Sequence, residues 1–180
     1  MKILTTNIGE KRTIEYKGKS FTTGIVKLPV SQGVVLGDED VVGDNVIDRK
    51  HHGGVDQAVY AFGYNHYAYF ENLYPNQDWQ KGMFGENLTL DVLDEHSLFV
   101  GNQYEVGEAI VEVTKPRNPC STLGARFQDM SIVKAFWNTE NPGTYFKVIK
   151  RGRVMPGDSF KLIKECSENP SIASVFVASR

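Results

Sequence analysis

The sequence predicts a mainly β protein with some α-helix, arranged as a small β-barrel with helices packed on its outside. Seventeen glycines and seven prolines divide the 180 residues into short segments, which favours strands and turns over long helices. Several of these segments alternate apolar and polar residues, whereas helical spacing of apolar residues is confined to two segments. Many short strands with few helices are typical of a small barrel.

The first strand predictions lie in two segments with different signals. Residues 24–30 form a short apolar segment that begins at a glycine, which indicates a strand. Residues 103–114 show the clearest alternation, with Ala109, Val111 and Val113 on one face. This alternation predicts a strand with one buried face.

Two later segments, residues 144–150 and 159–164, also predict strands, and the turn-rich stretch between them predicts a hairpin with a long loop. A short pattern of glycine, two polar residues and an aromatic residue occurs twice, ending at Tyr104 and at Phe160. Each copy is typical of a turn that enters a strand, so we expect both rings to face the core.

Two segments predict helices. Residues 56–73 place apolar side chains at near-helical spacing, with Asp56 as a possible N-cap and Gly63 interrupting the pattern. Residues 129–137 form the second helical segment. We expect residues 1–165 to form one domain and residues 166–180 to form a short, loosely ordered tail.

Composition and charge limit the classes of function. Twenty Lys and Arg residues against twenty-two Asp and Glu residues give a net charge of −2, which is not the basic footprint of a nucleic-acid-binding protein. No apolar run approaches the roughly 20 residues of a membrane-spanning helix, and the N-terminus lacks a signal-peptide pattern. Two cysteines are too few for a disulfide framework. We therefore expect a cytoplasmic protein without nucleic-acid or membrane partners.

The segment 43–62 concentrates polar groups that an apolar core does not need. Glycines let the backbone turn and approach a ligand closely, and the N–H groups of such turns favour anions. Neighbouring cationic and imidazole donors add positive charge, and a helix that opened nearby would add its dipole. A solvated turn is the alternative interpretation. The candidate residues are Arg49, Lys50, His51, His52, Gly53, Gly54 and Asp56.

A zinc site at the two adjacent histidines is disfavoured by geometry. Neighbouring side chains point to opposite faces of a strand and diverge by roughly 100° on a helix. His51 and His52 would therefore chelate one ion poorly, and His66 and His96 stand alone in the sequence.

Another polar segment, residues 114–124, follows the best-defined strand. Pro116 and Pro119 stiffen it, so Cys120 would be held in place. Arg117 is close enough in sequence to stabilise a thiolate, the form that attacks electrophiles and binds metals. The alternative is a buried, inert cysteine. Cys166, near the tail, fits a bystander role better.

The motifs DRKHHGG, AVY, FGEN and KPRNPC occur in this order, and together they resemble the MOSC domain family, within it the YiiM-like branch. MOSC names the domain found at the C-terminus of molybdenum cofactor sulfurase. The resemblance runs from about Gly24 to Leu162, and the opening segment GIVKLPV and the turn VVGD also match. Each motif is weak alone, and their order makes the resemblance specific.

The resemblance implies a barrel that binds molybdenum cofactor (molybdopterin), with Cys120 as metal ligand or sulfur-handling thiol. In this family pattern Asn87 and Asp56 would orient neighbouring groups. The family is also associated with pyridoxal phosphate binding. The positions implied as cofactor contacts are Lys27, Arg49, His51, His52, Gly53, Gly54, Asp56, Asn87 and Arg117.

The activity implied by the resemblance is that of a molybdenum-dependent oxidoreductase. It would reduce N-hydroxylated compounds, such as N-hydroxylated bases, with electrons from a partner reductase. The chain departs from the family pattern in two places: little sequence follows Lys164, where a small helical region is expected, and residues 140–144 lack an expected cation. The sequence leaves two alternatives open: a sulfur carrier or transferase with a persulfide on Cys120, and a non-catalytic barrel that binds an anion or a protein.

Overall fold

The computed structural model describes residues 1–47 and 53–180. Within these residues the chain forms twelve strands, four short α-helices and two 3₁₀ turns, at Val55–Gln57 and Tyr64–His66. The helices are α1 (Tyr67–Leu73), α2 (Ser121–Phe127), α3 (Ser131–Trp137) and α4 (Ile172–Ala178). The strands are β1 (Ile3–Gly9), β2 (Arg12–Tyr16), β3 (Lys19–Thr23), β4 (Lys27–Val30), β5 (Val34–Leu36), β6 (Val59–Gly63), β7 (Leu88–Leu90), β8 (Gln103–Val106), β9 (Ala109–Pro116), β10 (Thr144–Lys150), β11 (Gly152–Val154) and β12 (Lys161–Lys164).

Eight strands form one sheet in the order β12-β8-β9-β10-β6-β7-β1-β4, in which β6 and β7 are parallel and the other neighbours antiparallel. The sheet curls until Ser159, just before β12, pairs with Lys2 in an isolated bridge. Its two edge strands are only four residues long and are not paired with each other. The mainly β class with some α-helix is confirmed, and the sheet is open rather than a closed barrel.

The alternating segment at residues 103–114 forms a hairpin of two strands rather than one strand. The turn lies at Gly107, which has a positive φ of 53°, between β8 and β9. Ala109, Val111 and Val113 are at most 1% exposed, so the predicted buried face is confirmed. The rings of Tyr104 and Phe160 also meet in the core, with centroids 5.9 Å apart.

The strand at residues 144–150 is confirmed as β10, but the hairpin predicted between β10 and the next strand is wrong. β12 pairs with β8 at the sheet edge. The intervening segment forms β11, which pairs with β5 in a separate two-stranded sheet. The long loop therefore contains a strand of its own.

The helix predicted over residues 56–73 is correct only in its last third. The 3₁₀ turn Val55–Gln57 begins after Gly54, so Asp56 caps no helix, and β6 follows. All five residues of β6 are buried because the strand lies in the middle of the sheet, and such a continuous apolar run mimics helical spacing. The second predicted helix is confirmed as α3.

An aromatic cluster fills the space between the sheet and helices α1 to α3. Phe84 lies near its centre, with ring centroids 4.5 Å from Phe62 and 4.8 Å from Phe70. Phe136 stacks on both Phe62 and Phe70 at about 6 Å. This cluster fixes the positions of β6 and α2, which both contribute to the cleft described below.

The expectation of a loosely ordered tail is wrong. Cys166 is 5% exposed, and its backbone N–H donates to Asn102 Oδ1 at 2.8 Å. In α4, Ile172 and Phe176 are 0% exposed, and the Ser171 hydroxyl caps the helix. Ile172, Ala173 and Phe176 lie at helical spacing and pack inward, whereas Val177 lies on the outer face. No helix in the described residues is long and apolar enough to cross a membrane.

The packing of α4 yields a stability prediction with a neighbouring control. Phe176→Ala removes a fully buried ring and should lower the free energy of unfolding by about 3 to 5 kcal/mol. Val177→Ala changes a side chain that is 40% exposed and should cost under about 1 kcal/mol. Urea denaturation of both variants measures the difference, and equal small losses would contradict the docked helix.

Candidate functional site

A cleft with about 690 Å³ of empty space, counted to its open mouth, lies at one end of the sheet. The part of this space that the centres of water-sized molecules can occupy is about 100 Å³. The chain after β3, the start of β4, the loop after β5 and the start of α2 form its walls. Four predicted site residues line it together: Lys27, Asn87, Arg117 and Cys120.

Lys27 forms a buried ion pair in the cleft wall. Its ammonium group contacts the carboxylate of Asp44, and the two side chains are 7% and 1% exposed. Burial lowers the pKa of Lys27, and the neighbouring Asp44 carboxylate partly opposes that shift. The other Asp44 oxygen accepts the backbone N–H of Gly9 at 2.8 Å. The pair therefore joins β4, the loop after β5 and the end of β1.

Asn87 positions this pair. Its amide Nδ2 donates to Asp44 Oδ2 at 2.8 Å, while its Oδ1 accepts the backbone N–H of Tyr60 at 3.2 Å. Both ends of the amide are thus bonded to protein groups. Asn87 lines the cleft as a positioning residue that orients Asp44.

The preceding residue of the FGEN motif, Glu86, points away from the cleft. It is 0% exposed and accepts hydrogen bonds from the Tyr67 hydroxyl at 2.5 Å and the Thr89 hydroxyl at 2.8 Å. The backbone N–H groups of Gly82 and Phe84 donate to it as well, at 2.9 and 3.1 Å. Burial raises the pKa of Glu86, and these four donors oppose that shift.

Arg117 is a buried cation, 3% exposed, in the cleft wall. Its guanidinium carbon lies 5.2 Å from the Tyr60 ring centre and 5.7 Å from that of Phe136. It also interacts electrostatically with the side chains of Tyr60 and Tyr145. Burial lowers the pKa of Arg117, but Tyr60, Tyr145 and Cys120 outweigh burial and raise it. Its Nη1 has no hydrogen-bond partner among the described residues.

Cys120 is the residue that caps the start of α2. It has extended backbone angles (φ −132°, ψ 174°), is partly exposed, and lines the cleft. It interacts electrostatically with Arg117 and Tyr145. The predicted neighbourhood of Cys120 and Arg117 is therefore present, and the thiol is not walled off by apolar side chains.

A glycine makes close backbone packing possible in the cleft wall. A Cβ added at Gly24 would lie 1.7 Å from the carbonyl oxygen of Asn45. Asn45 in turn bonds the Gly9 carbonyl through its backbone N–H at 3.2 Å and its side chain at 3.0 Å. No larger residue fits at Gly24, and this contact brings the loop after β5 against the cleft.

The structure places Gly53, Gly54 and Asp56 outside the cleft lining. Gly53 and Gly54 are half-buried and precede the 3₁₀ turn, and Gly54 has a φ of 94°. Asp56 is exposed, and its backbone carbonyl accepts the Thr114 hydroxyl at 2.6 Å. None of these three lines the cleft. Arg49, His51 and His52 lie outside the described residues.

The polar residues of the cleft that sequence reasoning missed include Asp44, Tyr60 and Tyr145. Asp44 stands in the VVGD turn and Tyr60 in the AVY motif, so the sequence held a signal for both. Tyr145 lies in a strand that shows no motif. Burial raises the pKa of Tyr145 to about 12, although Arg117 opposes this shift.

Three comparisons with known proteins agree with this geometry. Residues 48–161 match the family model of the MOSC domain. The uncharacterized protein YflK of Bacillus subtilis is 35% identical over 170 residues, which are 94% of this chain and 76% of YflK. The crystal structure of YiiM from Geobacillus stearothermophilus has a TM-score of 0.79 at 32% identity, covering 97% of this chain and 81% of that one.

A longer relative is a protein of Gibberella moniliformis that is named a reductase. It is 27% identical over 161 residues, which are 88% of this chain but 28% of the relative. Most of that protein thus lies outside the matched segment. The family model, the B. subtilis relative and the YiiM fold together show that the chain belongs to the MOSC domain family, in its YiiM-like branch.

Proposed function

We propose that this protein binds molybdenum cofactor in the cleft and reduces N-hydroxylated compounds with electrons from a partner reductase. The observation that carries the proposal is the pairing of a partly exposed thiol, Cys120, with a buried cation, Arg117, in one cleft. Membership of the MOSC domain family supports it. The relative that is named a reductase supports the redox chemistry.

The residues present fit this cofactor. Arg117 Nη1 is a buried donor without a protein partner among the described residues, and an anionic group would satisfy it. A thiolate is a soft ligand of the kind that suits a soft transition metal. Within residues 1–47 and 53–180, no three His, Cys, Asp or Glu side chains converge as a metal site. In this proposal Cys120, the cysteine that lines the cleft, is the protein ligand of a molybdenum centre.

The chain contributes binding and orientation to the reaction. Arg117 and Lys27 would hold the anionic part of the cofactor, and the Lys27–Asp44 pair keeps that wall of the cleft in place. The bound cofactor supplies two-electron redox chemistry. For an N-hydroxylated amine, cleavage of the N–O bond consumes two electrons and two protons and releases the amine and water.

A sulfur carrier is the second candidate, because Cys120 is partly exposed and lies near a cation. A persulfide on Cys120 would use the same thiol without a bound metal. Mass spectrometry of the intact protein, after incubation with a cysteine desulfurase and cysteine, distinguishes the two. A reducible sulfur adduct on Cys120 in protein that retains no molybdenum would favour the carrier.

Cofactor retention tests the proposal directly. Protein purified from a host that makes molybdenum cofactor should contain molybdenum and pterin. Cys120→Ser should lose most of the molybdenum, because an alcohol is a poor ligand where a thiolate is a good one.

Cys166→Ser is the matched control, since Cys166 is buried and does not line the cleft. It should retain the metal as the wild type does. Elemental analysis and fluorescence of the oxidised pterin give the readout. Folded wild-type protein without either component would contradict the proposed function.

The reactivity of the thiol gives a second prediction, made on cofactor-free protein. Iodoacetamide should alkylate Cys120 but not Cys166, which is 5% exposed. Arg117→Met should slow alkylation of Cys120 at neutral pH by on the order of three- to tenfold, because the thiolate loses a nearby cation.

Lys134→Met removes an exposed cation from α3 and serves as the control, with no change in rate expected. Arg117→Lys should recover part of the rate. Peptide mass spectrometry over a time course measures all four proteins. Equal rates in the wild type and Arg117→Met would show that Arg117 does not activate the thiol.

A further inference from the structure

We propose that the hairpin β2–β3 is the docking surface for an acidic electron-transfer protein, of the ferredoxin or flavodoxin kind, that delivers electrons to the cleft. The inference rests on the proposed function and identifies where its partner binds. It is drawn from the exposure and charge of the hairpin and from its position beside the cleft.

The hairpin is a distinct structural unit. β2 and β3 pair with each other over all five residues of each strand, and neither belongs to the eight-stranded sheet. The two-residue turn between them has positive φ angles at Lys17 (48°) and Gly18 (75°), which is the geometry of a tight type I′ hairpin. The turn therefore joins the two strands in register, with Tyr16 opposite Lys19.

The hairpin concentrates positive charge in a chain whose net charge is −2. Lys11, Arg12, Lys17 and Lys19 are all exposed, and Glu15 is the one carboxylate between residues 11 and 19. In the described part of the chain no carboxylate oxygen lies within 4 Å of the three lysine amines, while Arg12 pairs with Glu10 at 3.8 Å. These lysines are thus available to a partner.

This charged surface adjoins the cleft. β3 ends with Thr22 and Thr23, and the chain continues into Gly24 and Ile25. All four residues line the cleft wall. The hairpin also rests on the end of α2, where Gln128 Nε2 donates to the Glu15 carbonyl at 3.1 Å.

The same helix connects the hairpin to the thiol. α2 begins after Cys120 and carries Arg126 in its last turn, about 9 Å of helix rise away. Burial lowers the pKa of Arg126, and the charge of Arg12 lowers it further, so cations of the hairpin and of the helix lie close together.

An acidic redox protein fits this surface better than a nucleic acid. Redox partners form small, transient interfaces, and complementary charge steers their encounter. Four exposed cations interspersed with Glu10 and Glu15 can meet a carboxylate-rich patch, whereas the chain as a whole carries more acidic than basic residues. Because the hairpin adjoins the cleft that Cys120 lines, a partner bound there would deliver electrons to the site of the proposed reaction.

The test uses a plant-type [2Fe–2S] ferredoxin and a bacterial flavodoxin as acidic probes. Cofactor-free protein labelled with ¹⁵N is titrated with each probe, and amide shifts and salt dependence are recorded. The wild type should bind at low ionic strength, with shifts confined to the hairpin and the cleft mouth, and binding should weaken as salt rises. Lys11→Glu with Lys19→Glu should weaken binding by on the order of tenfold or more.

The matched control is Lys150→Glu with Lys164→Glu, which makes the same change in net charge on exposed residues. Lys150 ends β10, five residues and about 17 Å beyond Tyr145 of the cleft, and Lys164 ends the edge strand β12. This variant should bind the probes within about twofold of the wild type, as expected for additive remote changes.

Three results would overturn the inference: no binding of either probe at low salt, equal loss in both double variants, or equally tight binding of an RNA oligonucleotide of similar charge. The binding measurement needs no cofactor, so its failure is distinguishable from failure of the proposed function, which shows as absent molybdenum. The hairpin variant should retain molybdenum and pterin at wild-type levels, because its two substituted residues do not line the cleft.

Discussion

The buried ion pair between Lys27 and Asp44 is the interaction on which the cleft depends. Asp44, in the loop after β5, accepts hydrogen bonds from Gly9 at the end of β1 and from Asn87 ahead of β7, as well as the Lys27 ion pair. A buried pair offsets its desolvation cost only when hydrogen bonds satisfy the remaining atoms, and both Asp44 oxygens have such bonds here. Removing one partner would leave an unpaired charge, at a cost of about 3 to 5 kcal/mol.

Arg117 poses the opposite problem, because no carboxylate compensates its charge in the described contacts. The faces of Tyr60 and Phe136 and the phenolic groups of Tyr60 and Tyr145 stabilise it instead. These neutral partners leave most of its positive charge uncancelled in a low-dielectric wall. Such a site has more to gain from an anionic ligand than one in which arginine is already paired.

The sequence predicted best what local spacing determines. β10 and α3 were found at almost their observed bounds, and the buried face of β9 was identified from alternation. The prediction of a helix through β6 was wrong because a strand that is buried on both faces does not alternate apolar and polar residues. The prediction of a loosely ordered tail was wrong because three inward-facing residues indicate a helix only weakly until the sheet provides a surface for them to pack on.

The site residues likewise divide into those that a motif identifies and those that only the fold brings to the cleft. Lys27, Asn87, Arg117 and Cys120 stand in recognisable motifs, and the fold brings all four to one cleft. Tyr145 could not be predicted, because only strand register places it there. β10 pairs with β9 so that Tyr145 lies opposite Lys115, which places it diagonally across from Arg117, two residues further along the chain. A pairing between residues about thirty positions apart leaves no trace in either segment alone.

The FGEN motif shows why a motif that marks a site does not by itself assign roles within it. Glu86 is the acidic residue of this motif. The structure directs four donors to that carboxylate from the protein interior, so it stabilises the loop that carries Asn87. Asn87, one residue later, contacts Asp44 and so acts on the cleft through the Lys27–Asp44 pair. The two neighbouring side chains thus bond in different places, Glu86 in the protein interior and Asn87 at the cleft wall, and one serves the fold while the other serves the site.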